Sequence, residues 1–243
     1  MLICTCRGFP AVPPREIPTR MQRAPHKDPD MGKQPKIPKA TIKRLSLYYR
    51  QLELLEFDGY RMVSSEKMAW LCQVNPAQVR KDLGYFGEFG VRGVGYDVRE
   101  LMNQIKRILA VNRTWNMGLV GIGHLGTALV NHQNFPARGF TFVAAFDSDP
   151  EKVGRPLGSK LRIQDSRELE KAVREKNIQI GVIATPGGEA QSVADRLSGA
   201  GIHAMLNFSR TQISVPEGCV VENIDFTIRL DILTYRLKEA LGF

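Results

Sequence analysis

The chain has 243 residues, enough to bury a sizeable core and to build one large or two small domains. Its 43% hydrophobic and 24% charged residues are ordinary for a globular protein, and no run of 18 or more apolar residues occurs, which argues against a membrane-spanning helix. The formal charge of +9 is uneven: residues 1–110 hold 19 Lys and Arg against 11 Asp and Glu, whereas residues 111–243 hold 15 against 14, so a polyanion partner is expected at the first half.

Residues 1–36 contain seven prolines and scattered charge without an apolar period, and are expected to be a disordered extension; Met21 and Met31 offer alternative starts. From Lys39, apolar Ile42, Leu45, Tyr49, Leu52 and Leu55 recur at helical spacing, and Gly59 marks the stop. Ser64 or Ser65 caps a second helix through Met68, Leu71 and Cys72. Asn75-Pro76-Ala77-Gln78 opens a third, with Asn75 as cap, Pro76 in the first turn and Gln78 able to reach back in a capping box. Two short helices around a tight turn, the second opening on polar and basic side chains, describe a helix-turn-helix. Gln78, Arg80 and Lys81 are then the candidates for the major groove, since Arg pairs bidentately with guanine, Gln with adenine, and Lys with base or phosphate. Residues 85–96 alternate glycines with aromatic or β-branched residues, as in a twisted hairpin, and Arg92 at its tip is a candidate DNA contact. An amphipathic helix over 97–111 closes this winged-helix domain, assigned to residues 37–112.

A Rossmann-type domain is expected over 113–224. The stretch 117–126, MGLVGIGHLG, reads as a buried strand, a glycine turn (Gly121, Ile122, Gly123, His124, Leu125, Gly126) and a helix running to about Phe135. Gly121 permits the tight turn, Gly123 lets the backbone approach a pyrophosphate, and Gly126 lets helix pack closely on strand. A second apolar run, 140–146, ends in Asp147, 21 residues past Gly126, where a carboxylate for the ribose 2′-hydroxyl of NAD is expected. Strand signals follow at Leu161 and Ile163, over 178–184, over 203–208 and at Val220–Val221, with helices over 166–176 and 189–198 between them. This alternation implies a doubly wound parallel sheet whose ligand lies beyond the carboxyl ends of the strands, with Thr185 and Pro186 near the nicotinamide. Residues 225–243 form an amphipathic terminal helix that must dock on its own sheet or on a partner. The four cysteines, Cys4, Cys6, Cys72 and Cys219, show neither zinc spacing nor a disulfide framework; Cys72 and Cys219 are expected to be buried free thiols in a reducing cytoplasm.

Five blocks in this order, VNPAQVRKDL (74–83), FGEFGVRGVGY (86–96), GIGHLG (121–126), FDSDPEKVG (146–154) and VENIDF (221–226), carry a resemblance to the Rex redox-sensing transcriptional repressors, from about residue 36 onward. The resemblance implies a cytoplasmic homodimer that binds inverted-repeat operator DNA when NADH is scarce and releases it when NADH binds. It implies that the terminal helix swaps into the partner, which would bring Phe226 near the nicotinamide of the partner's site. It also implies a state-dependent switch of an Arg, a Tyr and an Asp; Arg50 and Asp225 match the first and third, and His132 stands at the Tyr position. NADH and NAD⁺ would be regulatory ligands, with no catalytic residue and no metal. The rival is an NAD-dependent oxidoreductase with an N-terminal DNA-binding-like domain, which would need a substrate domain for which no residues remain and a hydride-transfer acid that no His or Lys is obviously placed to supply.

Overall fold

The computed structural model describes residues 37–91 and 93–242. The expected extension over 1–36 and the candidate contact Arg92 lie outside the described residues.

The N-terminal half is a helical bundle carrying a small sheet. Helix α1 (Lys39–Phe57) buries Leu45, Tyr49, Leu52 and Leu55 of the expected stripe and adds Tyr48, whereas Ile42 in its first turn is exposed; the chain turns out of it through Gly59 at φ +80°. Ser64 caps α2 (Ser65–Cys72) by accepting from the Lys67 N–H at 3.1 Å, and Asn75 caps α3 (Pro76–Gly84) by accepting from the Gln78 N–H at 2.7 Å. Asp97 caps α4 (Val98–Ile108), whose Val98, Leu101, Met102 and Ile105 meet the α1 stripe together with Met68, Val79 and Leu83. The sheet has three antiparallel strands in the order β1 (Met62–Val63), β3 (Gly95–Asp97), β2 (Gly90–Val91). Of the hairpin expected over 85–96, only Gly90–Val91 and residues 95–96 are strand among the described residues, and β1 had no sequence signal because two residues show no alternation. The glycine at 95 is explained by that unseen strand: its φ is +109°, and a Cβ there would sit 2.5 Å from the Val63 carbonyl oxygen.

One buried carboxylate ties the recognition helix to α1. Asp82 on α3 is fully buried and accepts hydrogen bonds from Thr41 Oγ1 (3.0 Å), Arg44 Nη2 (2.7 Å), Tyr48 Oη (2.8 Å) and Gln78 Nε2 (2.9 Å). Burial alone would raise its carboxyl pKa, but the Arg44 guanidinium, the Tyr48 hydroxyl, Gln78 and Thr41 together hold it below the ordinary value. The capping box is therefore only half formed: the Gln78 side chain turns forward to Asp82, one turn on, where a charged acceptor outbids the Asn75 N–H.

The second half is a seven-stranded sheet ordered β10 (Val220–Asn223), β9 (Ala204–Asn207), β8 (Ile180–Ile183), β4 (Trp115–Val120), β5 (Phe140–Asp147), β7 (Leu161–Asp165), β6 (Pro156–Leu157). All neighbours are parallel except β6 on β7, so the expected parallel sheet acquires one antiparallel edge strand. The expected helix after the glycine turn divides into α5 (His124–Val130) and α6 (Asn134–Ala137), with the break at 131–133. A 3-10 turn (Ser166–Glu168) leads into α7 (Leu169–Glu175), and α8 (Gly187–Gly199) starts two residues before its expected onset. Both Cys72 and Cys219 are free but only half-buried, and Cys72 packs at the rim of the helical core and not inside it. The last helix, α9 (Phe226–Leu241), buries nothing on its own protomer. Among the described residues no helix is long and apolar enough to cross a membrane.

Replacing Asp82 with Ala strands the Arg44 guanidinium and the Tyr48 hydroxyl, and is expected to cost about 3–5 kcal/mol in urea unfolding. Because the folded-state carboxyl value is depressed, this stabilisation is present above the ordinary carboxylate range near about pH 4 and is lost as pH falls through and below it. The acid limb of wild-type unfolding should therefore flatten in Asp82→Ala; identical acid limbs would contradict the assignment.

Candidate nucleotide cleft and nucleic-acid face

Consecutive strands β4 and β5 lie side by side while β8 sits on the other flank of β4, so the winding reverses between β4 and β8. The crevice at such a reversal is where parallel sheets bind ligands. Here it is a cleft of about 780 Å³ lined by Gly121, Ile122, Gly123, Asp147, Lys152, Thr185 and Pro186, among others. Each glycine of the turn has its own constraint. Gly121 has φ +94°, and a Cβ on it would meet the Ala184–Thr185 peptide at 2.7 Å. A Cβ on Gly126 would overlap the Gly121 carbonyl oxygen, so α5 rests directly on the end of β4. Gly123 faces open space, which is what a ligand approaching the backbone requires.

The first intrahelical bond of α5 runs from Thr127 N to Gly123 O, 3.0 Å, which leaves the earlier N–H groups of that turn for another acceptor. Helix α8 opens into the same cleft from Pro186, without a side-chain cap. Two positive helix ends converging on one crevice suit a diphosphate. Thr185, 8% exposed, carries the one buried side-chain polar atom that lacks a partner among the described residues, its Oγ1. A buried hydroxyl lining a cleft in this way fits a polar ligand group.

Asp147 ends β5 as expected, but its carboxylate is already engaged. Oδ2 accepts from the Ile122 N–H at 2.8 Å and from Lys152 Nζ at 3.1 Å, and Oδ1 accepts from the Asp149 N–H at 2.9 Å. Burial works against ionisation, yet the two backbone N–H groups and the ammonium hold the carboxyl pKa below its usual value. The carboxylate thus stays charged and pins the glycine turn while keeping lone pairs for a hydroxyl. Lys152, within the FDSDPEKVG block, had no periodic signal to mark it, since it joins Asp147 only through the loop that follows β5.

On the other half, Arg80 and Lys81 are exposed on α3, whereas Gln78 is partly buried and held by Asp82. The four-residue step from Gln78 to Asp82 was the readable sign of that pair. Arg80 Nη1 donates to Ser65 Oγ at 2.8 Å and lies 3.4 Å from Glu66 Oε1, so it fastens α3 to the N-terminal end of α2. The three switch candidates are not brought together within one protomer. Arg50 is exposed on α1, His132 Nδ1 accepts from the Asn134 N–H at 3.3 Å with its ring against Phe135, and Asp225 caps α9 through Thr227. Phe226 opens α9 and is exposed. No group of three or more His, Cys, Asp or Glu side chains is placed to hold a metal among the described residues.

The glycine geometry separates binding from folding. Gly123→Ala should leave the melting temperature unchanged and weaken a bound dinucleotide at least tenfold, because the new methyl enters the space the diphosphate would occupy. Gly126→Ala should instead lower stability by about 1–3 kcal/mol through overlap with the Gly121 carbonyl. Isothermal titration with NADH beside thermal melting distinguishes them; equal effects from both variants would contradict the division.

Residues 36–84 match the family model described as "Putative DNA-binding protein N-terminus", and residues 112–211 match the CoA binding domain model. The redox-sensing transcriptional repressor Rex of Syntrophobacter fumaroxidans is 56% identical over 203 residues, covering 84% of this chain and 97% of that one. The Streptomyces coelicolor Rex is 45% identical over 206 residues, 85% of this chain and 80% of that one. Among solved structures, RSP in complex with beta-NAD⁺ and operator DNA aligns with a TM-score of 0.81 at 35% identity, covering 85% of this chain and 95% of the other. RSP with beta-NADH aligns at 0.79 and 33%, covering 86% and 98%. With identity at this level over nearly the whole length of its relatives, the chain belongs to the Rex family of redox-sensing transcriptional repressors.

Proposed function

We propose that this protein represses transcription by holding operator DNA with its winged-helix half and letting go when NADH enters the nucleotide cleft. The observation that carries this is the joining, in one chain, of a helix-turn-helix presenting exposed Arg80 and Lys81 and a cleft whose glycine turn, two helix ends and Asp147 suit a dinucleotide. Gly121 to Gly126 bind the diphosphate, Asp147 the adenine ribose, and Thr185 and Pro186 face the nicotinamide end. Thr185 Oγ1, buried without a partner, supports the last assignment.

The protein works as a homodimer in the cytoplasm. Support comes from α9, where Phe226, Ile228, Leu230, Ile232, Leu233, Tyr235, Leu237 and Leu241 are each 42–63% exposed. That much apolar surface calls for burial, and exchange of α9 with a second copy supplies it. Phe226 then reaches the partner's nicotinamide pocket, and Asp225 meets Arg50 and His132 across the dimer. A twofold dimer presents two α3 helices to an inverted repeat.

NADH and NAD⁺ share ribose and diphosphate contacts, so discrimination lies at the nicotinamide ring, neutral in one and cationic in the other. An apolar surround disfavours the cation. A 100-fold change in operator affinity needs about 2.7 kcal/mol of such differential binding, and the coupling is reciprocal. The chain is a binder of the nucleotide and not a dehydrogenase, in keeping with relatives named as transcriptional repressors.

Fluorescence anisotropy on an operator duplex tests the proposal: NADH should release DNA at concentrations where NAD⁺ does not, at stated salt because phosphate contacts make affinity salt-dependent. Equal release by the two forms, or steady NADH oxidation with small carbonyl compounds, would overturn it. Arg80→Ala should cost about 1–3 kcal/mol and relax preference at one operator position if Arg80 reads a base. A loss uniform across operator sequences would make it a phosphate contact.

A further inference from the structure

The two halves touch through one well-formed side-chain cluster. Arg138 closes α6 in the nucleotide domain, and its Nη2 donates to Glu53 Oε2 on α1 of the winged-helix domain at 2.9 Å. Its guanidinium also lies 4.6 Å from the ring centroid of Tyr49, one turn earlier on α1, and Lys106 Nζ lies 5.6 Å from the same ring. The Arg138 side chain is 23% exposed and Glu53 41%, so the pair is less open to solvent screening than an ordinary surface pair. Tyr49 is buried, and burial followed by the adjacent Glu53 carboxylate pushes its phenol up to about 12, so it stays neutral as a platform for the cation. The other side-chain ion pair between the halves among the described residues, Lys39 with Glu222, is 94% and 72% exposed and contributes little.

Arg138 is not on a loose loop. The next residue, Gly139, has φ +80°, a Cβ there would press on the Arg113 carbonyl, and its own carbonyl accepts from Trp115 N at 2.7 Å. Behind it, the chain runs to the glycine turn through short hydrogen-bonded elements: α6, His132 packed on Phe135, Asn131 Nδ2 donating to Thr127 O at 3.0 Å, and α5. Ahead of it, α1 holds both ends of the connection, because Thr41, Arg44 and Tyr48 on that helix grip Asp82 of α3.

We propose that Arg138 is a positioning residue that couples the nucleotide cleft to the DNA-reading helix, by fastening α6 to Tyr49 and Glu53 on α1. Movement of α5 on closure around NADH is carried to α1 through this clasp, and from α1 to α3 through Asp82. The covalent linker reaches the winged-helix domain at α4, so without the clasp α1 and α3 follow the nucleotide domain only indirectly. This rests on the NADH-dependent release proposed above.

The test measures operator affinity of the full-length dimer with and without saturating NADH, and NADH affinity without DNA. In Arg138→Ala and in Glu53→Gln the ratio of the two operator affinities should collapse by about tenfold, with NADH affinity held within about twofold and melting little changed. The exchanged pair, Arg138→Glu with Glu53→Arg, should restore a large part of the ratio, which a merely structural role would not require. A wild-type ratio in both single variants overturns the proposal, as does an exchanged pair that folds and behaves like the singles. If Arg138→Ala melts early, Glu53→Gln reads the same bond from the other side. A wild-type protein that ignores NADH would instead overturn the release reading itself, so the two failures are distinguishable.

Discussion

A buried charge must be answered by hydrogen bonds, and the carboxylate of Asp82 imposes that demand on the whole DNA-binding half. With five donor atoms from four side chains of α1 and α3 around it, α3 cannot rotate or slide without exposing an unpaired anion to a low-dielectric core. The orientation of Arg80 and Lys81 follows, since they occupy the opposite face of a helix whose inner face is fixed. Hydrophobic packing of Leu45, Leu52, Val79 and Leu101 supplies cohesion, but apolar contacts alone tolerate small shifts that a carboxylate held by five hydrogen bonds does not.

Asp147 plays a comparable part in the nucleotide half. By accepting from Ile122 N it joins the end of β5 to the glycine turn, so one carboxylate at the cleft also fixes the loop beside it. Gly121 and Gly126 complete the geometry by permitting approaches that no side chain would allow. The glycine turn itself is therefore shaped before any ligand arrives, which reduces the ordering cost of binding. The glycine turn and Asp147 lie at the strand ends, whereas α9 leaves its apolar residues exposed on this protomer.

Most elements were legible because their signals are local. Most of the α1 stripe, the caps at Ser64 and Asn75, and the glycine turn before α5 each follow from a few neighbouring residues obeying helix periodicity or backbone sterics. The misses share a cause. Strands β1 and β6 are two residues long and carry no alternation. The helix expected to reach Phe135 breaks at 131–133, since apolar spacing continues through Val130 and Phe135 whether or not the backbone does. The bond from the Gln78 amide to Asp82 also depends on the packing of α3 on α1, which buries that carboxylate.

The amino-acid sequence by itself determined the class of the protein: a basic helix-turn-helix half, a glycine turn opening a parallel α/β half, and ordered motif blocks specific enough to identify the Rex family. Tertiary structure alone decided which side chains meet. Arg138 finds Glu53 across 85 positions, Tyr48 finds Asp82 across 34, and Ile122 finds Asp147 across 25. Pairings at such separations leave no periodic trace, because they depend on how whole helices and strands come to rest against one another. The glycine turn announces a nucleotide site from ten residues, whereas the contact between Arg138 and Glu53 exists only once both halves have folded and met.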